Sequence, residues 1–275
     1  MPIGRLIIAV LALAASFSLP GTAAERTLTL TFGDDVRRFS AEDLLARPDA
    51  VSLTVPNDLS YRREMTYRVV PLLELIGAEA LDGIDTIEAR ASDGFVAQIP
   101  ADDVMRAREG GSVAWLAVED PAAPWPALPN KAVGAGPFYL VWENPERSSI
   151  ANEQWPYALV ALTAVADPVT RWPQLAVGSA LPEDAPERRG QTSFIRNCLP
   201  CHRLNGAGEG EVGPDLGRPM NVTEYLTPIG LRALIRDPKS VRTWPGQHMP
   251  GFGADQIPDP ELDALVAFFA HIAER

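Results

Sequence analysis

Every cysteine of this 275-residue chain lies in the pentapeptide Cys198-Leu199-Pro200-Cys201-His202, which also carries one of only three histidines. Two thiols three positions apart can close a disulfide, grip a metal or anchor a covalent group, and each use demands a different fold around them. A thioredoxin-type disulfide wants a strand running into a helix within a βαβ unit. The stretch before Cys198, "PERRGQTSFIRN", reads instead as a short helix, and no parallel-sheet pattern surrounds it. Zinc normally takes four ligands, and two cysteines with three histidines are a poor supply.

The compartment bears on the same question. The chain opens with Arg5, an apolar run from Leu6 to about Leu19 and small residues up to Ala24. That pattern predicts a secretory signal peptide over 1–24, with an uncleaved anchor as the alternative; the apolar run is short for a span. No later segment reads as a membrane span. The expected location is therefore the periplasm. A net charge of −12 argues against nucleic acid as a partner, because phosphate binding wants a basic face. An acidic surface can steer a basic redox partner or simply keep an exported protein in solution.

What remains for the pentapeptide is Cys-x-x-Cys-His, the attachment sequence of haem c. Cys198 and Cys201 would bond one edge of a single porphyrin, and His202 would place its imidazole under the iron. A low-spin, electron-carrying iron needs a sixth ligand. Met249, in the Pro- and Gly-bounded loop "WPGQHMPGFG", is the leading candidate, with Met220 and His248 as alternatives. Methionine ligation raises the potential relative to two histidines.

From "CLPCH" through "VGPDL", "LIRDP" and "MPGF" to the amphipathic last helix, residues 187–275 resemble a class I c-type cytochrome. The resemblance implies that the Pro214 carbonyl receives a hydrogen bond from the proximal imidazole and orients it. It implies also that Gly190 and Phe194 meet Phe269 where the first and last helices cross. Trp244, just before the ligand loop, is either a contact to a haem propionate or plain core. Within this part, Thr227 caps a helix with Pro228 at its first position. Asp259 and Pro260 open the last helix, whose Leu262, Leu265, Val266, Phe269 and Ile272 form one apolar stripe.

Four prolines between 168 and 186 mark that stretch as a linker. It follows a β-rich α+β part at 25–167. Strands are expected at 27–32, 51–55, 85–90, 94–100, 113–119, 136–142 and 157–165, with short helices at "SAEDLLA", "PLLELIG" and "ADDVMRARE". Ser40 and Asp43 form a capping box. The segments "YRVVPLLELIG", "ASDGFVAQIP", "GPFYLVW" and "EQWPYALVALTAV" resemble the molybdopterin-binding fold of sulfite-oxidase-type oxidoreductases. That family holds molybdenum by a cysteine thiolate, whereas residues 25–167 contain no cysteine and no histidine. A molybdenum cofactor is therefore not expected. Asp93, Asp102 and Asp103 read as turn and helix-cap residues.

The expected architecture is multidomain, an α+β domain followed by an all-α cytochrome domain. The expected function is an exported monohaem electron carrier between periplasmic donor and acceptor proteins, with the first domain serving docking or positioning and no catalytic residue assigned. The alternative is an oxidoreductase, or a subunit of one, whose first domain binds a substrate or a pterin-like cofactor.

Overall fold

A computed structural model describes residues 27–275, so the expected signal peptide lies outside the described residues. In the β-rich part the strands are β1 (Leu28–Phe32), β2 (Asp35–Phe39), β3 (Val51–Val55), β4 (Met65–Pro71), β5 (Thr86–Ala91), β6 (Val96–Pro100), β7 (Val113–Val118), β8 (Phe138–Glu143) and β9 (Leu159–Val165). Three short helices join them: α1 (Ala41–Leu45), α2 (Leu72–Ile76) and α3 (Ala101–Met105).

The strands form two sheets. One runs β2-β1-β9-β5-β6, with β1 and β9 parallel and the other pairs antiparallel. The other runs β3-β4-β7-β8 and is antiparallel throughout. β1 shows the alternation that places it: Leu28, Leu30 and Phe32 point into the core and Thr29 and Thr31 away from it. Gly33 and Asp34 close the β1–β2 hairpin, and Gly33 takes the positive φ that a two-residue turn needs. β8 is buried along Phe138–Trp142, and Leu140 also donates to the Pro156 carbonyl, which ties the second sheet to the start of β9. Both sheets feed one contiguous apolar core.

The seven expected strands are all present to within two residues at either end, and β2 and β4 are additional. β2 escapes notice because Asp35, Arg37 and Arg38 make it polar and largely exposed. Arg37 nevertheless supports the fold. Its guanidinium donates to the carbonyls of Leu75 (2.8 Å) and Ile76 (2.9 Å), the last carbonyls of α2. The Ser40–Asp43 capping box is formed in both directions.

The proline-rich stretch is not featureless. It holds α4 (Pro168–Arg171), capped by Asp167, and it delivers Leu175 and Val177 into a second apolar core. That core belongs to the helical part: α5 (Pro186–Asn197), α6 (Val222–Tyr225), α7 (Pro228–Arg236), α8 (Pro238–Val241) and α9 (Asp259–Ala273). α5 and α9 cross at Gly190, where an added Cβ would lie 2.7 Å from Phe268 Cβ and collide with the α9 backbone at Ala264. Only glycine permits that approach. Phe194 then packs edge-on to Phe269 (5.7 Å between centroids) and beside Phe268 (5.6 Å). Thr227 caps α7 through Gly230 N–H, as its sequence suggests. α9 begins one residue earlier than expected, with Pro258 rather than Asp259 at the cap position.

Candidate haem site

The Cys-x-x-Cys-His segment continues out of α5 as a tight turn. Cys198 N–H bonds back to Phe194, while Cys201 N–H (3.1 Å) and His202 N–H (2.9 Å) both donate to the Cys198 carbonyl. Leu199 is fully buried and anchors the turn in the second core. The two cysteines are unpaired and half-buried. Burial raises both thiol pKa values, with Glu153 next in importance, and Cys201 is pushed up to about 12. The thiols are thus neutral groups at physiological pH.

His202 is held from one side. Its Nδ1 lies 2.8 Å from the Pro214 carbonyl, which can only accept, so Nδ1 carries the proton and Nε2 keeps its lone pair. Burial lowers the imidazole pKa, against the opposing effect of the Pro214 bond. The neutral ring is the form that ligates a metal. Gly213 makes the approach of the Pro214 loop possible: a Cβ there would lie 2.5 Å from Nδ1 and collide with Cε1 of the ring. Asp215 fixes the loop, accepting from the backbone N–H groups of Asn205 (2.9 Å), Gly206 (2.7 Å) and Gly217 (2.8 Å). This organising role of Asp215 is not evident from the sequence, although "VGPDL" places a carboxylate next to Pro214.

Met249 is half-buried and packs against the second core, whereas Met220 is 46% exposed. Arg236, at the end of α7, pins the far side of the Met249 loop. Its guanidinium donates to the carbonyls of Phe252 (2.9 Å) and Gly253 (3.0 Å) and pairs with Asp259 (2.7 Å). Phe252 N–H also bonds to the Ile235 carbonyl. Nothing in the linear sequence marks Arg236 for this. His248 is exposed, and His271 on α9 accepts from Gly178 N–H. Trp244 is 46% exposed, with the Arg242 guanidinium 5.2 Å from its ring centre.

The β-rich part closes over the attachment turn. β6 is an edge strand, and Val96 N–H at its start donates to the Pro200 carbonyl (2.9 Å), between the two cysteines. Glu211 N–H donates to the Gly94 carbonyl (3.0 Å). An ionic cluster clamps the same junction. Arg171 of α4 meets Glu88 (2.7 Å) and Glu209 (3.1 Å), and Arg90 meets Glu88 (3.0 Å) and Glu209. Glu153 faces the cysteines from the β-rich side, in a cleft of about 590 Å³ also bordered by Arg196, Asn197 and Asp255. One of its oxygens is buried without a hydrogen-bond partner, and burial pushes its pKa up to about 7.

The three N-terminal carboxylates differ in their surroundings. Asp93 accepts from Phe95 N–H in its turn, and Asp102 sits in the first turn of α3. Asp103 is buried, accepting from Gln154 and pairing with Arg106.

Two free thiols on one turn and an imidazole with its outer nitrogen available make a donor set that suits a covalently attached haem, with a methionine packed on the core of the same helical unit. Residues 185–269 match the family model described as cytochrome c oxidase, cbb3-type, subunit III. No curated protein matches the chain. The family match supports a C-terminal class I c-type cytochrome domain, and with it a haem-containing electron-transfer protein whose haem c is covalently bound and whose partners are redox proteins. The match ends short of the β-rich part. No helix among the described residues is long and apolar enough to cross a membrane.

Proposed function

We propose that the protein is an exported monohaem electron carrier of the periplasm, in which Cys198 and Cys201 would attach the haem and His202 and Met249 would ligate its iron. The observation that carries this reading is the His202–Pro214 contact beside two unpaired thiols. When bound, the haem supplies a one-electron Fe(III)/Fe(II) couple. The chain's own residues prepare and hold that couple. Pro214 keeps the proton on Nδ1 so that Nε2 presents its lone pair, and it raises the basicity of the ring. Asp215 and Gly213 hold the Pro214 loop against the imidazole. Arg236 keeps the Met249 loop closed, and Trp244, whose indole N–H has no partner among the described residues, is free to donate to a propionate. Phe194, Leu199, Leu204, Leu231 and Phe252 exclude water from the same core.

The 25–167 domain we take as a positioning domain without molybdenum, the 168–186 stretch as its connection and 187–275 as the cytochrome. The contacts of β6, Arg90 and Arg171 with the attachment turn support positioning rather than a loose tether. Purified holoprotein should contain about one iron and no molybdenum, give the haemochrome spectrum of a doubly thioether-linked haem, and titrate with a single one-electron midpoint. Stoichiometric molybdenum, or turnover of a small-molecule substrate by the protein alone, would contradict this assignment.

A further inference from the structure

The β-rich domain sits on the face of the cytochrome that carries Cys198 and Cys201, through Val96–Pro200, Gly94–Glu211 and the Arg90–Arg171–Glu88–Glu209 cluster. The chain's own domain thus covers part of that face. The Met249 side is open by contrast: from Pro238 to Ala254, no hydrogen bond or ion pair among the described residues reaches the β-rich domain.

That open segment has an unusual charge for this molecule. The chain carries 36 acidic and 24 basic residues, yet 238–254 contains Lys239, Arg242 and His248 and not one Asp or Glu. Many cations of the helical part are already committed, Arg232 to Asp263, Arg236 to Asp259, Arg203 to Glu211 and Arg189 to Glu261. Lys239 and Arg242 enter no ion pair among the described residues. Beside them stand Val241 (41% exposed) and Trp244, whose ring carries the Arg242 guanidinium. An exposed tryptophan stacked with an uncommitted arginine is the side-chain pairing that anchors protein interfaces.

We propose that the redox partner of this protein docks on the Lys239–Trp244 face through an acidic patch of its own surface. The proposal rests on the carrier reading and adds to it where the electron crosses and what kind of surface receives it. Charge complementarity selects the partner: a basic surface, attracted at long range by the net −12 of the chain, would meet like charge on this open face. An acidic one meets a weak repulsion at distance, screened within about 10 Å at ordinary ionic strength, and gains attraction on contact.

The test uses the ferrous holoprotein and two one-electron oxidants of opposite charge, hexacyanoferrate(III) and tris(phenanthroline)cobalt(III), followed by stopped flow. In each case one electron leaves Fe(II) for the oxidant's metal and no proton moves. The expected result is that the hexacyanoferrate rate falls as ionic strength rises, against the sign of the net charge. In K239E/R242E that rate should drop about tenfold and the cobalt rate should increase, with the visible spectrum unchanged. Poly-L-glutamate, as a model acidic protein surface, should slow hexacyanoferrate for the native protein and not for the variant. A hexacyanoferrate rate that rises with ionic strength in the native protein, or a double variant that leaves both rates as they were, overturns the docking assignment while leaving the carrier reading intact. Failure of both oxidants to oxidise the iron overturns the carrier reading and the docking assignment with it.

Discussion

The carbonyl oxygen of Pro214 stands 2.8 Å from Nδ1 of His202, and it fixes which ring nitrogen is free. The contact is built by neighbours rather than by the pair itself. Gly213 lets the loop reach the ring, and Asp215 ties that loop through three backbone N–H groups.

Asp215→Ala should therefore act on stability and on the iron together. Losing one carboxylate that accepts three N–H donors is expected to cost about 2–3 kcal/mol, since hydrogen bonds to a charged acceptor are among the stronger ones. Urea unfolding of the holoprotein measures the loss, and the midpoint potential should move because the imidazole is less well oriented. An unchanged unfolding midpoint would show that the loop holds itself.

Arg236→Ala should loosen the Met249 loop without unfolding the helices. It removes two donors to the Phe252 and Gly253 carbonyls and the pair with Asp259. The methionine–iron charge-transfer band should be lost at lower temperature than in the native protein, while far-ultraviolet dichroism persists. Arg236→Lys should recover part of the difference, because a single ammonium cannot match the fork of the guanidinium.

The junction between the two parts depends on Arg171, which lies between Glu88 and Glu209 with its guanidinium 4.1 Å from the Trp172 ring centre. Glu88 is buried, and Arg171→Met leaves it with Arg90 and Gln98 alone. Removing one partner of a buried carboxylate costs roughly 3 kcal/mol. Limited proteolysis between 176 and 186 should accelerate severalfold. Cleavage at the native rate would mean that the backbone bonds of Val96 and Glu211 suffice.

Glu153 gives the molecule a pH dependence of definite sign. Its folded-state pKa is about 7, above the ordinary carboxylate value of 4.5, because burial disfavours the charge. Between those two values Glu153 holds more proton in the folded protein than in the unfolded chain, so its contribution to stability is fully present below about 4.5 and is lost as pH rises through 7. The decline is up to about 3 kcal/mol. Denaturation midpoints from pH 5 to 8 should fall in the native protein and stay flatter in Glu153→Gln. Parallel curves for the two proteins would show that Glu153 does not set the pH dependence.

Much of this architecture is written in local pattern. Alternation in Leu28–Phe32, the Ser40–Asp43 box, Thr227 before Pro228 and the stripe on α9 each specify an element through neighbouring residues alone. β4 carries a pattern of the same kind, since Met65, Tyr67 and Val69 alternate inward, but Pro71 and the helix after it obscure it. β2 has no apolar stripe and so no such signal. At the site, Cys198, Cys201, His202 and Pro214 are legible because they sit in short motifs. The roles of Arg236, Asp215, Arg171 and Glu153 are not, although Asp215 and Arg236 fall within "VGPDL" and "LIRDP", because each acts on residues outside its own motif or on the other part of the chain. A buried carboxylate with an unpartnered oxygen has no signature until two surfaces meet.

The central claim is that one covalent haem is held between His202 and Met249, and the ferric spectrum of Met249→Ala tests it most directly. The native protein should show the methionine–iron charge-transfer band, and the variant should lose it while the haem stays covalently attached. A band that survives in Met249→Ala would contradict the assignment and move the ligand to Met220.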